Sequence, residues 1–281
     1  MRIKKIFFIV KTDIIEGIIK RWYFYVVLIM IISSFCALLN YQTDELNSIY
    51  LSDFKPTITD YWLHLFKGMQ IYIPTPTSKF ELPIIWLMLN LYLAIIIAKY
   101  PTTDLYGFGK YILMQSKDRS NWFLGKCIWT VICVLFFYFL LYITTFVFAF
   151  FSGNLSFEIT NEICSEILKY NFIAFNITSI LLYVLFLPVT TSIALCIIQL
   201  ILELVLKPIY SFLIIVSILV ASAYFYTPFL IGNASMMLRS SLVLDNGLNG
   251  FYSFTIDIII TIMAIVSGCV YFKRIDILDK E

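Results

Sequence analysis

Six long apolar stretches alternate with polar and charged segments along the chain. They cover residues 22–39, 82–98, 122–151, 172–206, 209–230 and 251–272. A helix rises about 1.5 Å per residue and the core of a bilayer is about 30 Å thick, so each stretch is long enough to cross a membrane. The pattern predicts an all-α polytopic membrane protein, with six transmembrane helices in a single transmembrane domain over residues 1–281.

The positive charges predict how these helices are oriented. Fifteen of the 20 Lys and Arg residues fall on one alternating set of connections, which we assign to the cytoplasm together with both termini. The other five are Lys55, Lys67, Lys79, Lys169 and Arg239. The fourth stretch could instead form a hairpin of two short spans that turns at Pro188. A hairpin would place Lys207, Lys273 and Arg274 outside, so the charges favour one span.

Composition agrees with a membrane protein. Hydrophobic residues make up 61% of the chain and charged residues 14%, which excludes a soluble domain of this length. Five of the six cysteines lie in predicted spans and only Cys164 lies outside, so neither a disulfide framework nor a metal site is expected. Abundant Ile, Tyr, Asn and Lys indicate an AT-rich bacterial genome, and hence a bacterial cytoplasmic membrane.

Residues 1–21 form a predicted amphipathic interfacial helix before the first span. Its apolar stripe consists of Ile3, Ile6, Phe7, Val10, Ile14 and Ile18. Two interpretations stay open at this point. The helix is either a simple anchor on anionic lipid or an elbow that also contacts a cytoplasmic partner.

Two of the outer connections carry helix signals. In the large segment 41–81, Thr59 and Asp60 precede apolar residues at helical spacing, which predicts a short capped helix lying on the outer surface. His64, the only histidine of the chain, falls on this helix. Between the fifth and sixth spans, we expect a small helix with Asn233 as its cap and Gly247 near its end.

The connection 100–121 departs from the pattern of an ordinary loop, because an apolar and aromatic stretch leads through a charged turn into the third span. Its residues Ser116, Arg119, Trp122, Gly125 and Lys126 match a Ser-x-x-Arg-x-x-Trp-x-x-Gly-Lys-like motif. The chain thereby resembles the permease subunits of type-2 ABC exporters. The resemblance extends over the full length, from the amphipathic N-terminal helix through six spans to the outer helix before the last one.

This resemblance implies that the connection 100–121 is a cytoplasmic coupling loop that sits on a separate ATPase subunit. The residues expected to make that contact are Tyr106, Phe108, Tyr111, Ile112, Met114 and Arg119. The alternative is an ordinary connector buried among lipid headgroups. The run Gly107 to Lys110 lacks the Ser or Thr of a phosphate loop, so this chain is expected to have no nucleotide site and no enzymatic activity of its own.

The resemblance also implies partners and a function. We expect a second permease copy or a paralogue, an ATP-binding cassette subunit that binds ATP and Mg, and contact with membrane lipid but not nucleic acid. No cofactor is expected on this chain itself. The expected activity is export or extraction of an amphipathic substrate, either an antimicrobial peptide or a lipid-like molecule. The large outer segment 41–81, which only some branches of the family have, leaves the substrate open.

Polar residues within the spans suggest other functions. Asp257 is the only charge well inside a span, so it is a candidate intramembrane site, with Arg239 as a candidate partner. Glu203 is expected to pair with Lys207, four residues later. The alternatives are an ATPase-independent carrier, an immunity or sensor protein, and an intramembrane enzyme, which the position of His64 outside the spans disfavours.

Overall fold

The computed structural model describes residues 2–76, 79–107, 109–110, 119–172 and 176–274. Regular structure in these residues is helical. The α-helices are α1 (Arg2–Ile14), α2 (Trp22–Tyr50), α3 (Ile58–Leu65), α4 (Ile84–Ile97), α5 (Tyr100–Tyr106), α6 (Arg119–Ser152), α7 (Ile177–Val205), α8 (Pro208–Tyr224) and α9 (Gly250–Arg274). Short π-helical turns cover Ile15–Ile19 and Ile163–Ile167, and 3-10 turns cover Ile231–Ser235 and Met237–Arg239.

Within the described residues, five helical segments are long and apolar enough to cross a membrane. They are Trp22–Tyr50, Ile84–Tyr106, Ser120–Ser152, Ile177–Val205 and Gly250–Lys273. The second joins α4 to α5 through Lys99, whose positive φ of 71° redirects the chain. The remaining predicted span corresponds to α8, an apolar helix of 17 residues.

The helix α7 is continuous through Pro188, so the chain does not turn back there as a hairpin would require. It is also the central helix of the bundle and packs against α6, α8 and α9. Its buried face carries Thr191, Ser192, Gln199 and Glu203 among the apolar side chains. The most polar interior of the bundle is therefore organised around this helix.

The connections gather at two opposite ends of the bundle. At the end that holds the N-terminus of the chain, which we call the N-terminal end, α1 and α5 meet the start of α6 and the end of α7. The hydrogen bonds from Tyr100 to Asp13 and from Thr102 to Glu203 show these contacts. At the opposite end, the connections 51–83, 153–176 and 225–249 meet, and Lys67 donates to the carbonyl of Ile167. The five basic residues predicted on one side all lie at this opposite end.

The helix α1 packs against α6 with a face that differs from the predicted stripe. Ile9, Val10 and Ile18 are buried, whereas Phe7 of the predicted stripe is 72% exposed. Close approach is achieved at Gly125, where an added Cβ would lie 2.8 Å from Cγ2 of Ile9. A helix is present in the predicted segment, but its buried face includes Ile9 and leaves Phe7 exposed, so the stripe was assigned partly wrongly.

The short helix α3 is buried, so the prediction that it lies on the outer surface is wrong. Its cap is Thr57, which forms a capping box with Asp60, two residues before the predicted start. Trp62 donates from its indole nitrogen to Thr145 on α6, and the hydroxyl of Thr59 donates to the carbonyl of Phe157. The connection 153–170 thus covers α3 and removes it from the surface.

The connection between α8 and α9 forms 3-10 turns rather than a capped α-helix. Asn233 does not cap it, because the turn begins after Leu230 without a side-chain cap. The amide of Asn233 instead donates to the carbonyls of Phe225 and Thr227 and so fixes the end of α8. The prediction for Asn233 was therefore wrong.

Candidate functional site

The described part of the predicted coupling loop is a short helix at the N-terminal end of the bundle. This helix, α5, ends at Tyr106, whose side chain is 54% exposed. The predicted contact residues Phe108, Tyr111, Ile112 and Met114 lie outside the described residues. Arg119 begins α6, and only its backbone is described.

A buried lysine links this loop to two other elements. The ammonium group of Lys126, on α6, lies 2.5 Å from a carboxylate oxygen of Asp13 on α1 and 2.7 Å from one of Asp104 on α5. The hydroxyl of Tyr100 donates to Asp13 over 2.8 Å, and the indole nitrogen of Trp122 donates to Asp104 over 3.2 Å. We call Asp13, Tyr100, Asp104, Trp122 and Lys126 the Lys126 network.

The network compensates a charge that burial would otherwise make costly. Lys126 is fully buried, and its ammonium group also lies 4.9 Å from the ring centre of Tyr100 and 5.1 Å from that of Trp122. Burial raises the pKa of the Asp13 carboxyl, whereas the nearby Lys126 charge and the Tyr100 hydroxyl oppose that rise. Removal of one partner would leave buried charge unpaired, so the network holds α1, α5 and α6 in one arrangement.

Three motif residues at the start of α6 have clear packing roles. Trp122 is fully buried and stacks on Phe272 near the end of α9, with ring centres 5.1 Å apart. Gly125 admits Ile9 of α1, and Lys126 binds the two carboxylates. The motif therefore marks the place where the loop, the N-terminal helix and the last helix meet.

A cavity of about 700 Å³ lies beside α5 at the same end. Tyr106 and Thr102 line it from α5. Glu203 at the end of α7, Lys207 in the link to α8 and Tyr210 at the start of α8 line it from the other side. Glu203 is fully buried and accepts a hydrogen bond from Thr102 over 2.9 Å, while its other carboxylate oxygen has no hydrogen-bond partner. The expected pair of Glu203 with Lys207 does not form.

Asp257 lies in a separate polar contact between α7 and α9. The carboxylate is buried and accepts hydrogen bonds from the hydroxyls of Thr191, at 2.9 Å, and Thr190, at 3.1 Å. No ion pair joins it to Arg239 in the part of the chain that the structure describes, so that candidate pair is wrong. Asp257 is held by two neutral donors, which are suited to a carboxyl group in either protonation state.

Arg239 is fully buried at the opposite end of the bundle, where its side chain connects several backbone carbonyls. Its guanidinium donates to the carbonyls of Ser222 and Ala223 at the end of α8, to the carbonyl of Met69, and to the side chain of Asn233. Burial lowers the pKa of Arg239 to about 10. These acceptors fix two outer connections against α8, which is a structural role.

The sequence interpretation missed the two carboxylates of the Lys126 network. Asp13 is the only acidic residue of α1, and Asp104 follows two threonines in α5. No spacing rule brings these residues to Lys126, since 113 positions separate Asp13 from it.

A scan against protein-family models and searches of curated proteins and of solved structures found no match. The fold and the site therefore define the class on their own. In the described residues, this is a helical protein with five candidate membrane-spanning helices and a buried ionic network at one end.

Proposed function

We propose that this chain is the permease subunit of an ABC exporter. Its six membrane spans are the five long helical segments and the shorter helix α8. It pairs with a second permease copy or a paralogue and couples to a separate ATP-binding cassette subunit, which binds ATP and Mg. The N-terminal end of the bundle faces the cytoplasm of a bacterial cell. The substrate is an amphipathic molecule, either an antimicrobial peptide or a lipid-like molecule.

The observation that carries this proposal is the Lys126 network. A coupling element must transmit a displacement from the partner to the spans, and this requires a rigid connection. Lys126 provides one, because its ammonium group binds the loop helix through Asp104 and the N-terminal helix through Asp13. Motion of α5 is thereby passed to α6 and α1 together.

The surface beside the Lys126 network supports the proposal that a partner docks there. Exposed Tyr106 lines the 700 Å³ cavity, and Tyr210 on its other side is 55% exposed. Aromatic side chains are common at the centre of protein interfaces because they bury a large area.

The length of α8 also fits the proposal of six spans. Its 17 residues are at the lower limit of the length that can cross a membrane as a helix.

Affinity purification of the tagged chain, expressed with its neighbouring genes, tests this proposal. Wild type is expected to retain an ATPase in mild detergent, and Tyr106→Glu is expected to lose it. Tyr50→Glu is a matched control, since Tyr50 is 56% exposed at the opposite end. An intact, folded chain that retains no ATPase would overturn the proposal.

Asp257 supports a second candidate function, an ATPase-independent carrier. A buried carboxyl held by Thr190 and Thr191 is a suitable proton site within the membrane. Asp257→Asn distinguishes the two candidates, because the amide oxygen can accept both hydroxyl bonds but cannot exchange a proton. Transport that survives this change and stops without the ATPase supports the permease. The reverse result supports the carrier.

A further inference from the structure

A second cavity, of about 440 Å³, lies at the opposite end of the bundle from the Lys126 network. The end of α3 and the following residues form one wall, and the residues that lead into α4 form another. Lys169 and Leu238 close it from the two other outer connections. Residues of all three outer connections therefore contribute to one cavity.

The walls of this cavity are held firmly. The backbone amides of Met237 and Leu238 donate to the carbonyls of Phe66 and Lys67 at 3.0 Å and 3.2 Å. Gly68 has a positive φ of 65°, and an added Cβ would lie 2.5 Å from the side chain of Met236. This packing fixes the backbone of Lys67 against the neighbouring connection, so the cavity is preformed.

Positive charge dominates the lining. Lys67, Lys79 and Lys169 line the cavity, whereas Glu81 is its one carboxylate. No ion pair joins Glu81 to these lysines within the described ranges, and Lys67 donates only to the carbonyl of Ile167, at 3.3 Å. Burial and the nearby charge of Lys169 lower the pKa of Lys67. An anion bound among these lysines would relieve the repulsion between their like charges.

His64 supplies a second, independent sign of a ligand. Its side chain is 5% exposed and lines the cavity, and neither ring nitrogen has a hydrogen-bond partner. Burial, followed by the charge of Lys67, lowers the pKa of His64 to about 4. The neutral ring keeps one N–H group able to donate. A buried donor without a partner is costly, and a bound acceptor would remove that cost.

We propose that this cavity, lined by His64, Lys67, Lys79 and Lys169, binds a phosphate group. Three ammonium groups and a ring N–H suit an anion with several charged oxygens. The volume leaves room for a substituent, so the phosphate is either the headgroup of a lipid or a free phosphate compound. The four proposed ligand residues lie outside the candidate spans, and the site does not depend on the proposed permease function.

Binding to the full chain in uncharged detergent tests the site. The probes are inorganic phosphate, dihexanoyl phosphatidylglycerol and the zwitterionic dihexanoyl phosphatidylcholine, with Kd measured by thermophoresis. We expect at least one anionic probe to bind about tenfold more tightly than phosphatidylcholine. Lys67→Gln, Lys169→Gln and His64→Phe should each weaken that binding about tenfold, since each removes a donor to a charged acceptor.

Two controls separate a local effect from a general one. Lys55→Gln removes a lysine at the same end that pairs with Asp53 outside the cavity, and it should leave Kd unchanged. Lys67→Arg keeps the charge and should retain binding within about threefold. Should Lys67→Gln fail to fold, the exposed Lys169 provides the same test.

The outcomes distinguish the two sources of phosphate. Binding of inorganic phosphate that depends on Lys67 and Lys169 supports a free phosphate ligand. Binding of phosphatidylglycerol alone, with the same dependence, supports a lipid headgroup. The proposal is overturned when no anionic probe binds, when the cavity variants bind as tightly as wild type, or when Lys55→Gln weakens binding as much as the cavity variants do.

Discussion

The ammonium group of Lys126 lies 2.5 Å from a carboxylate oxygen of Asp13, although 113 positions separate the two residues. This pair joins the N-terminal helix to the start of α6. A second carboxylate, from Asp104, binds the same ammonium group. The network makes α1, α5 and α6 one mechanical unit at the end where we place the partner ATPase.

Removal of the central cation should destabilise the protein strongly. Lys126→Met leaves two buried or half-buried carboxylates facing each other. We expect the free energy of unfolding to fall by about 3–5 kcal/mol. The melting temperature in detergent measures this loss. Lys207→Met is the matched control, because Lys207 is exposed at the same end, and its melting temperature should equal that of wild type. Equal melting temperatures for both variants would show that the network contributes little.

The helix α3 carries two groups with opposite effects on stability as pH changes. Burial raises the pKa of Asp60 to about 6, despite hydrogen bonds from Thr57 and Thr160, and lowers the pKa of His64 to about 4. Asp60 therefore stabilises the fold when protonated, and this contribution is lost as pH rises from about 4 to 6. His64 stabilises the fold when neutral, and its contribution is lost as pH falls over nearly the same range.

Single variants should separate these opposing contributions, each about 3 kcal/mol. In wild type these two contributions nearly cancel. Relative to wild type, the melting temperature of Asp60→Asn should fall as pH falls from about 6 to 4, because the opposing contribution of Asp60 is removed. Relative to wild type, the melting temperature of His64→Gln should fall as pH rises over the same range. Parallel pH profiles for the two variants would contradict the burial of these groups.

The close approach of α1 to α6 at Gly125 predicts a steric effect. Gly125→Ala places a methyl group 2.8 Å from Cγ2 of Ile9. We expect α1 to shift and the free energy of unfolding to fall by about 1–3 kcal/mol. Ile9→Ala removes the obstructing atom. The double variant should therefore melt at a higher temperature than the sum of the two single effects predicts. Strict additivity would show that the two residues are not in contact.

The distribution of positive charge predicts the orientation in the cell. Lys55 and Lys207 are exposed at opposite ends of the bundle. In intact bacteria, a membrane-impermeant thiol reagent should label Lys55→Cys directly and Lys207→Cys only after permeabilisation. The six native cysteines are buried or half-buried, which keeps the background low. The opposite labelling pattern would show that the chain has the inverse orientation in the membrane.

The sequence predicted the elements that depend on local pattern. Apolar length identified the five long helices and α8, and residue spacing identified α1 and α3. Burial of α3 was not predictable, because it depends on the distant connection 153–170, whose carbonyls accept from Thr57 and Thr59. The burial of His64 and Arg239 was missed for the same reason, because it also depends on residues that are distant in the sequence. A polar residue near a span end looks solvated until its long-range neighbours are known.

The most direct test of the central claim is photo-crosslinking at the end of α5. A photoreactive phenylalanine analogue replaces Tyr106, and in a second strain it replaces Tyr50 at the opposite end as the control. Irradiation of cells that express the chain with its neighbouring genes should yield an adduct with an ATP-binding cassette subunit from position 106 alone. No such adduct from position 106, or equal adducts from both positions, would contradict docking of an ATPase at this end.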